Sequence, residues 1–327
     1  MLAVPGMTGH MISRRLTESS DLLNATLGYV RLNLEAERSM IRSKSKRRGK
    51  VVTSSIGQSI DFLGSVSLRS ARIRRRVLEL SHQAAVPHIG SSLSVVDILT
   101  TIMATELWRP DNPETELVLS KGHAAVALYS ALNEFGYLDD DLLANFAQPG
   151  SVLEEHPNHL VPGVSTPSGS LGHGLPFGAG FVLGGQRKGS HHRAFIVMSD
   201  GECNEGTVWE VANLAGAKKL AGLVAVVDSN GWQATGRTTE TYGDISLVDV
   251  FRSFGWQSIE ADGHDLGDLC EALSIAEKNR EQPVCIIANT VKGKGVSFME
   301  DDNNWHYRTL SQDELELAVK DLTGLEA

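Results

Sequence analysis

Three nearly unbroken apolar runs, AFIVM at 194–198, LVAVV at 223–227 and VCIIA at 284–288, constrain the fold of this chain most strongly. A strand with one wet face alternates apolar and polar residues, so runs of this kind belong to strands covered by helices on both sides. GTVWEVANLAGAKKL, between the first two runs, has the length of a crossover helix that returns the chain parallel to its start. Leu117 to Leu119 forms a further strand candidate. Helices are expected over Leu68–Leu80, from about Val95, over Ala124–Phe135 and over Gln312–Leu322. The expected class is α/β, three-layered, with a mostly parallel central sheet and helices on both faces. No second comparable sheet fits after the last helix.

The first two runs end in SDGECNEG at 199–206 and AVVDSNGW at 225–232, placing Asp200 and Asn230 thirty residues apart. In one strand–helix–strand unit both strand ends face the same crevice, where open parallel sheets bind ligands. A carboxylate and an amide oxygen beside a helix start suit a divalent cation clamping a diphosphate. Gly201 lets the chain turn without a side chain in the way, and a carbonyl near Trp232 can add a third oxygen. No Cys/His tetrahedron is apparent, so magnesium fits better than zinc. Spacing alone serves a second reading equally well, in which Asp200 caps the helix and Asn230 forms a turn before Gly231. Glu205 is similarly open between helix-start stabilisation and relaying charge into a site.

Composition narrows the functional classes. A net charge of −10 argues against general nucleic-acid binding. No apolar stretch near either end has the length of a signal or a membrane span, and no membrane association is expected. Cys203, Cys270 and Cys285 form no metal or disulfide pattern, so a reducing cytoplasm is the default compartment. Residues 1–60 read as a variable extension open to disorder, and 61–327 as the folded domain. The basic run Met40–Lys50 reads as a solvated leader in preference to an arm for an anionic partner, and a misplaced start codon would account for part of this region.

Four of the eleven histidines sit in informative settings: His88 in PHIG, His123 in SKGHA, His156 in EEHPN and His306 in NWHYR. Neutral imidazole can donate at one nitrogen and accept at the other, which suits proton transfer among hydroxyls and a carbonyl. Each taken singly is more often a structural histidine. The VKGKG segment at 291–295 reads as a solvated basic loop, with phosphate or lid contacts as a secondary role.

Taken together, SDG with its Asn thirty residues on, the four histidine segments and the glycine run GSLGHGLPFGAG resemble the N-terminal half of transketolase over about residues 65–325. The separate N-terminal subunit of split transketolases is the nearest likeness. The resemblance implies a thiamine-diphosphate-binding fold, with Asp200, Asn230 and the Trp232 carbonyl holding Mg2+ (Ca2+ or Mn2+ as substitutes) and the cofactor diphosphate. It puts His88 and His306 near the thiazolium and substrate oxygens, and His123 at the cofactor phosphate. His156 is the substrate-facing histidine, ranked above His159, while Gly169 and Gly201 belong to cofactor segments. Glu205 takes a supporting role linking active sites, and His264 in DGHD a structural one. Ser199, Ser170 and His173 depart from the usual Gly, Pro and Gln.

The implied reaction is transfer of a two-carbon ketol unit from a ketose phosphate or related sugar to an aldose. The family also needs a Glu from a pyrimidine-binding domain, and no later strand–helix unit of this chain supplies one. The expected partner is therefore a separate C-terminal subunit, in an α2β2 assembly. The alternatives are a related thiamine-diphosphate-dependent synthase, a specialised acyloin-forming enzyme and a noncatalytic regulatory subunit.

Overall fold

A computed structural model describes residues 60–326. The basic run Met40–Lys50 and nearly all of the extension expected over residues 1–60 lie outside them. The chain opens with α1 (Ile60–Ala84), α2 (Ile89–Ser94) and α3 (Val96–Ala104), then β1 (Thr115–Leu119), α4 (Ala125–Glu134) and α5 (Asp140–Leu143). It continues through α6 (Gly174–Lys188), β2 (Arg193–Ser199), α7 (Gly206–Ala217), β3 (Leu223–Ser229), α8 (Thr238–Tyr242) and α9 (Leu247–Ser253). Last come β4 (Gln257–Asp262), α10 (Leu266–Lys278), β5 (Val284–Asn289) and α11 (Gln312–Glu326).

The five strands lie in the order β1-β2-β3-β5-β4, and every described pairing is parallel. Alternate residues of the apolar runs point to opposite faces, as the period of two requires. Phe195, Val197, Val224, Val226 and Ile286 enter the core packed by α1, α3, α4 and α10. Ile196, Met198, Ala225, Val227 and Ile287 enter the core packed by α6, α7 and α9. Both faces are covered, which explains why these strands carry no alternation.

β4 escaped the sequence reading. It is an edge strand whose QSIEAD sequence is mostly partly exposed, so it lacks the continuous apolar signal of the central strands. The helix expected from about Val95 is α3, which begins at Val96; the sequence reading missed the short helix α2 before it, within which Gly90 lies. A Cβ there would stand 3.0 Å from Lys292 Cγ, so this glycine permits close packing. In the glycine-rich helix α6, a Cβ on Gly178 would collide with Ile196 on β2, and its absence lets the helix seat against the sheet.

Candidate active site at the C-terminal edge of the sheet

Ser199 pairs with Asp228 across β2 and β3, so the residues that follow them leave the sheet side by side. Asp200 reaches across this gap. One carboxylate oxygen accepts from the Gly231 N–H at 3.0 Å and from the Thr238 hydroxyl at 2.8 Å. The other accepts from the Gly201 N–H at 2.9 Å, capping the 3-10 turn Gly201–Asn204. The capping reading of Asp200 is thus realised on this turn, one step before the crossover helix. The Asn230 side-chain oxygen accepts from the Trp232 N–H at 3.0 Å, and its NH2 points to Ser94 Oγ at 3.4 Å. Asp200 Oδ1 and the Asn230 side-chain oxygen each accept one described hydrogen bond and keep a second lone pair, whereas Asp200 Oδ2 accepts two.

Trp232 is held firmly. Its indole N–H donates to Asp301 at 2.8 Å, and the Arg237 guanidinium lies 3.7 Å over its ring while pairing with both Asp301 oxygens. Its carbonyl takes neither backbone hydrogen bond of the 231–238 turn, which run from Gln233 to Gly236 and from Thr238 to Gly231. Gly201 allows close approach here, since a Cβ would stand 3.0 Å from Gln233 Cγ.

The imidazoles converge from three parts of the chain. His88 lies before α2, His123 in the 3-10 turn after β1, and His306 in the turn Asn303–His306. Ring centroids are 5.2 Å apart for His88 and His123, 4.9 Å for His88 and His306, and 5.9 Å for His123 and His306. His88 adopts a left-handed conformation at φ 69°, uncommon for a residue with a Cβ, and its N–H donates to the His306 carbonyl at 2.9 Å. Its Nδ1 is buried with no hydrogen-bond partner among the described residues. A buried, unpartnered ring nitrogen calls for a partner such as a water or a ligand.

Burial, aided by the positive charges of Lys292 and Lys121, pushes His88 down to about 4 and His306 to about 3. His123 is likewise held well below the ordinary histidine range by burial and then by Lys121. All three rings are therefore neutral near pH 7, with one donor and one acceptor nitrogen each. His156 lies near enough to His88 and His123 to act on both electrostatically, and its ring packs over Gly169. His156 and His159 are both exposed on the same loop.

Glu205 sits at the start of α7, exposed and without a side-chain capping bond. A Cβ on Gly172 would lie 2.6 Å from the Glu205 Cβ, and the Gly172 φ of +82° also favours glycine. The Ser199 hydroxyl accepts from the Glu202 N–H at 3.2 Å. His173 is exposed before α6, with Nδ1 3.2 Å from the Leu171 carbonyl.

Several charged groups escaped the sequence reading. Lys121 and Asp228, both fully buried, form an ion pair beneath the site, with Ser94 donating to Asp228 at 2.6 Å and Lys121 donating to the Ser91 carbonyl at 3.0 Å. Thr290 also donates to Asp228. Glu202, buried, accepts from Ser120 and from the Gly172 N–H at 2.8 Å, and burial raises its carboxyl. A signal did exist, because Lys121 and Asp228 each follow or end an apolar strand at the edge where ligands bind. Lys292 contradicts the expectation of a solvated VKGKG loop: it is fully buried.

A second buried polar centre lies away from the imidazoles. Arg74 on α1 grips both oxygens of Asp97 on α3 and donates to the Lys294 carbonyl at 3.2 Å. His264 approaches the same carboxylate at 2.8 Å through Nδ1, and its Nε2 accepts from the Val291 N–H at 2.8 Å. His264 is thus structural, as expected.

The donor set can be tested against a divalent cation. Burial, together with the nearby charge of Asp228, lifts Asp200 to about 6, and Lys121 pairs with Asp228 and not with Asp200. Asp200 is a buried carboxylate with no salt bridge among the described residues, although Lys121 and Lys292 act on it at longer range, and a hard cation fits beside it. Among the described residues no group of three His, Cys, Asp or Glu is arranged to hold a metal, so other oxygens must complete such a shell.

Comparison with known proteins identifies the family. The family model described as transketolase, thiamine diphosphate binding domain, matches residues 68–327. One of the subunits of the apulose-4-phosphate transketolase of Phocaeicola vulgatus is 33% identical over 79% of this chain and 94% of its own length. The 6-deoxy-6-sulfo-D-fructose transketolase subunit SqwG of Clostridium sp. is 35% identical over 76% of this chain and 93% of its own length. Among solved structures, the transketolase of Campylobacter jejuni superposes with a TM-score of 0.73 at 25% identity, covering 81% of this chain and 43% of that one. The chain therefore belongs to the transketolase family and corresponds to its thiamine-diphosphate-binding domain.

Proposed function

We propose that this chain is the N-terminal component of a two-component transketolase, moving a two-carbon ketol unit from a ketose phosphate or related sugar to an aldose. The observation that carries the reading is the convergence of three neutral imidazoles beside a buried carboxylate with no salt bridge among the described residues. Matches along 94% and 93% of two proteins that are themselves named as parts of larger enzymes support dependence on a separate C-terminal chain. That partner supplies the pyrimidine-binding domain and its activating Glu, in an α2β2 assembly. The relatives' names point to phosphorylated or sulfonated sugars as the substrate class.

Asp200, Asn230 and the Trp232 carbonyl would hold Mg2+ and the cofactor diphosphate, with Gly201 keeping the approach open. Thiamine diphosphate, when bound, supplies the electron sink for carbon–carbon cleavage. The chain's own residues orient and exchange protons. His123 would donate to a phosphate oxygen of the cofactor, and His88 and His306, neutral near pH 7, would orient substrate and exchange protons with it. His156 contacts a substrate hydroxyl, and Gly169 lets its ring lie close against the loop. Glu205, exposed at the start of α7, faces a neighbouring protomer.

Calorimetric titration with thiamine diphosphate and Mg2+, in the presence of the C-terminal chain, tests the assignment. Saturable, Mg2+-dependent binding is expected, weakened at least about 100-fold by Asp200→Ala. Unchanged binding by the variant would remove Asp200 from the site. Ketol transfer by this chain without a partner would overturn the two-component reading.

A further inference from the structure

The VKGKG loop sends Lys292 into the protein, where its position is set on every side. Its stem packs against Gly90, its carbonyl accepts from the Asp301 N–H at 2.8 Å, and the next residue, Gly293, donates to the Gly90 carbonyl at 3.0 Å. Nζ donates to the Asn303 side-chain oxygen at 2.7 Å and stands 2.9 Å from Nδ1 of His306. Both partners belong to one short turn, so the ammonium and the ring are held in fixed register.

An ammonium has three N–H bonds and no lone pair, so it can only donate. The ring nitrogen facing it must accept and cannot carry a proton. Because His306 is neutral, its one ring proton then resides on Nε2. A solvated neutral histidine exchanges freely between tautomers, whereas this one is committed. The same turn holds His88, whose N–H donates to the His306 carbonyl.

We propose that Lys292 is a positioning residue that fixes His306 as the Nε2–H tautomer, so that His306 enters the active site as a hydrogen-bond donor. Its use toward a substrate or cofactor oxygen rests on the transketolase reading, but the tautomer itself does not. Burial, and then Lys121, pushes Lys292 down to about 8, while Asp200, Asp228 and Asp302 act in the opposite direction. His88 and Lys121 also face the ring and share in keeping it uncharged. The lock is therefore present near pH 7. It loosens above about 8, where a neutral amine acquires a lone pair and can accept from Nδ1.

The test is nitrogen NMR of the full chain labelled at its histidine rings, without cofactor or partner, with His306 assigned from the signals lost in His306→Gln. At neutral pH the wild type is expected to show Nδ1 unprotonated and Nε2 protonated, moving toward a tautomer mixture well above pH 8. Lys292→Met, similar in shape but without a donor, should give the mixture already at neutral pH, and Lys292→Arg should restore the single tautomer. A protonated Nδ1 in the wild type at neutral pH overturns the proposal, as does a Lys292→Met spectrum identical to wild type. The wild-type spectra need no variant to fold. In the assembled enzyme, Lys292→Met is expected to lower kcat about tenfold, the cost of losing a partner that orients a histidine ring. It should add no further loss in a His306→Gln background. If the assembly proves inactive as a transketolase, the proposed function fails while the NMR result still decides the tautomer.

Discussion

Two buried polar centres of this molecule look alike in composition and differ in how completely they are partnered. At Arg74–Asp97–His264 each polar group has its counterpart: both carboxylate oxygens meet guanidinium nitrogens, and both imidazole nitrogens are engaged. Burial by itself would raise the Asp97 carboxyl, but the Arg74 charge and the hydrogen bonds from His264 and Arg74 outweigh it and hold it well below the usual carboxylate range. At the sheet edge the balance is reversed. Asp200 is lifted by burial, Lys292 is lowered, and His88 Nδ1 has no partner among the described residues. Burial of charge is common to both centres; what differs between them is the unpartnered His88 Nδ1 at the sheet edge.

The comparison predicts which property each centre loses when cut. Asp97→Ala leaves the Arg74 guanidinium buried and uncompensated, and a loss of about 3–5 kcal/mol is expected in urea denaturation. Thiamine-diphosphate affinity of the folded fraction should be unchanged; a variant that keeps its stability but loses the cofactor would break the distinction. The sign of its pH dependence follows from the lowered Asp97 carboxyl. Stability is fully present above the unfolded value of about 4 and is lost as pH falls below it. Denaturation midpoints measured down through that range should decline in the wild type, and the Asp97 contribution to that decline should vanish in Asp97→Ala.

His88→Asn should behave in the opposite way. Asn tolerates a positive φ, so stability is expected within about 1 kcal/mol of wild type. Ketol transfer by the assembled enzyme should nevertheless fall about 100-fold. A large stability loss with normal turnover would make His88 a structural residue like His264. His264→Ala strips a partner from buried Asp97 and leaves the Val291 N–H unpaired, for an expected cost of about 1–3 kcal/mol with kcat unaltered. The smallest effect belongs to His159→Ala, where stability should move by less than about 0.5 kcal/mol and steady-state kinetics should match wild type. A kinetic defect there would reverse the order of His156 and His159.

Legibility followed the physics of each element. The central strands were readable because two covered faces demand continuous apolar residues, and the crossover α7 was readable from its length between them. β4 was not, since an edge strand is half wet and its polar residues imitate a loop. In the site, Asp200, Asn230 and the histidines stood out through local motifs. Lys121, Asp228 and Glu202 did not, because a charged side chain is ordinarily a solvated one.

Lys292 marks the boundary most clearly. Sequence alone determined the α/β class, the crevice at the strand ends and the chemical types of residue gathered there, because strand period, helix length and motif spacing are local properties. Which imidazoles meet, which carboxylate lacks a salt bridge and which lysine leaves solvent were decided only by tertiary structure. Those outcomes depend on groups far apart in the chain, as when residues at 90, 292 and 306 close on one another and remove the water that would otherwise have satisfied each of them separately.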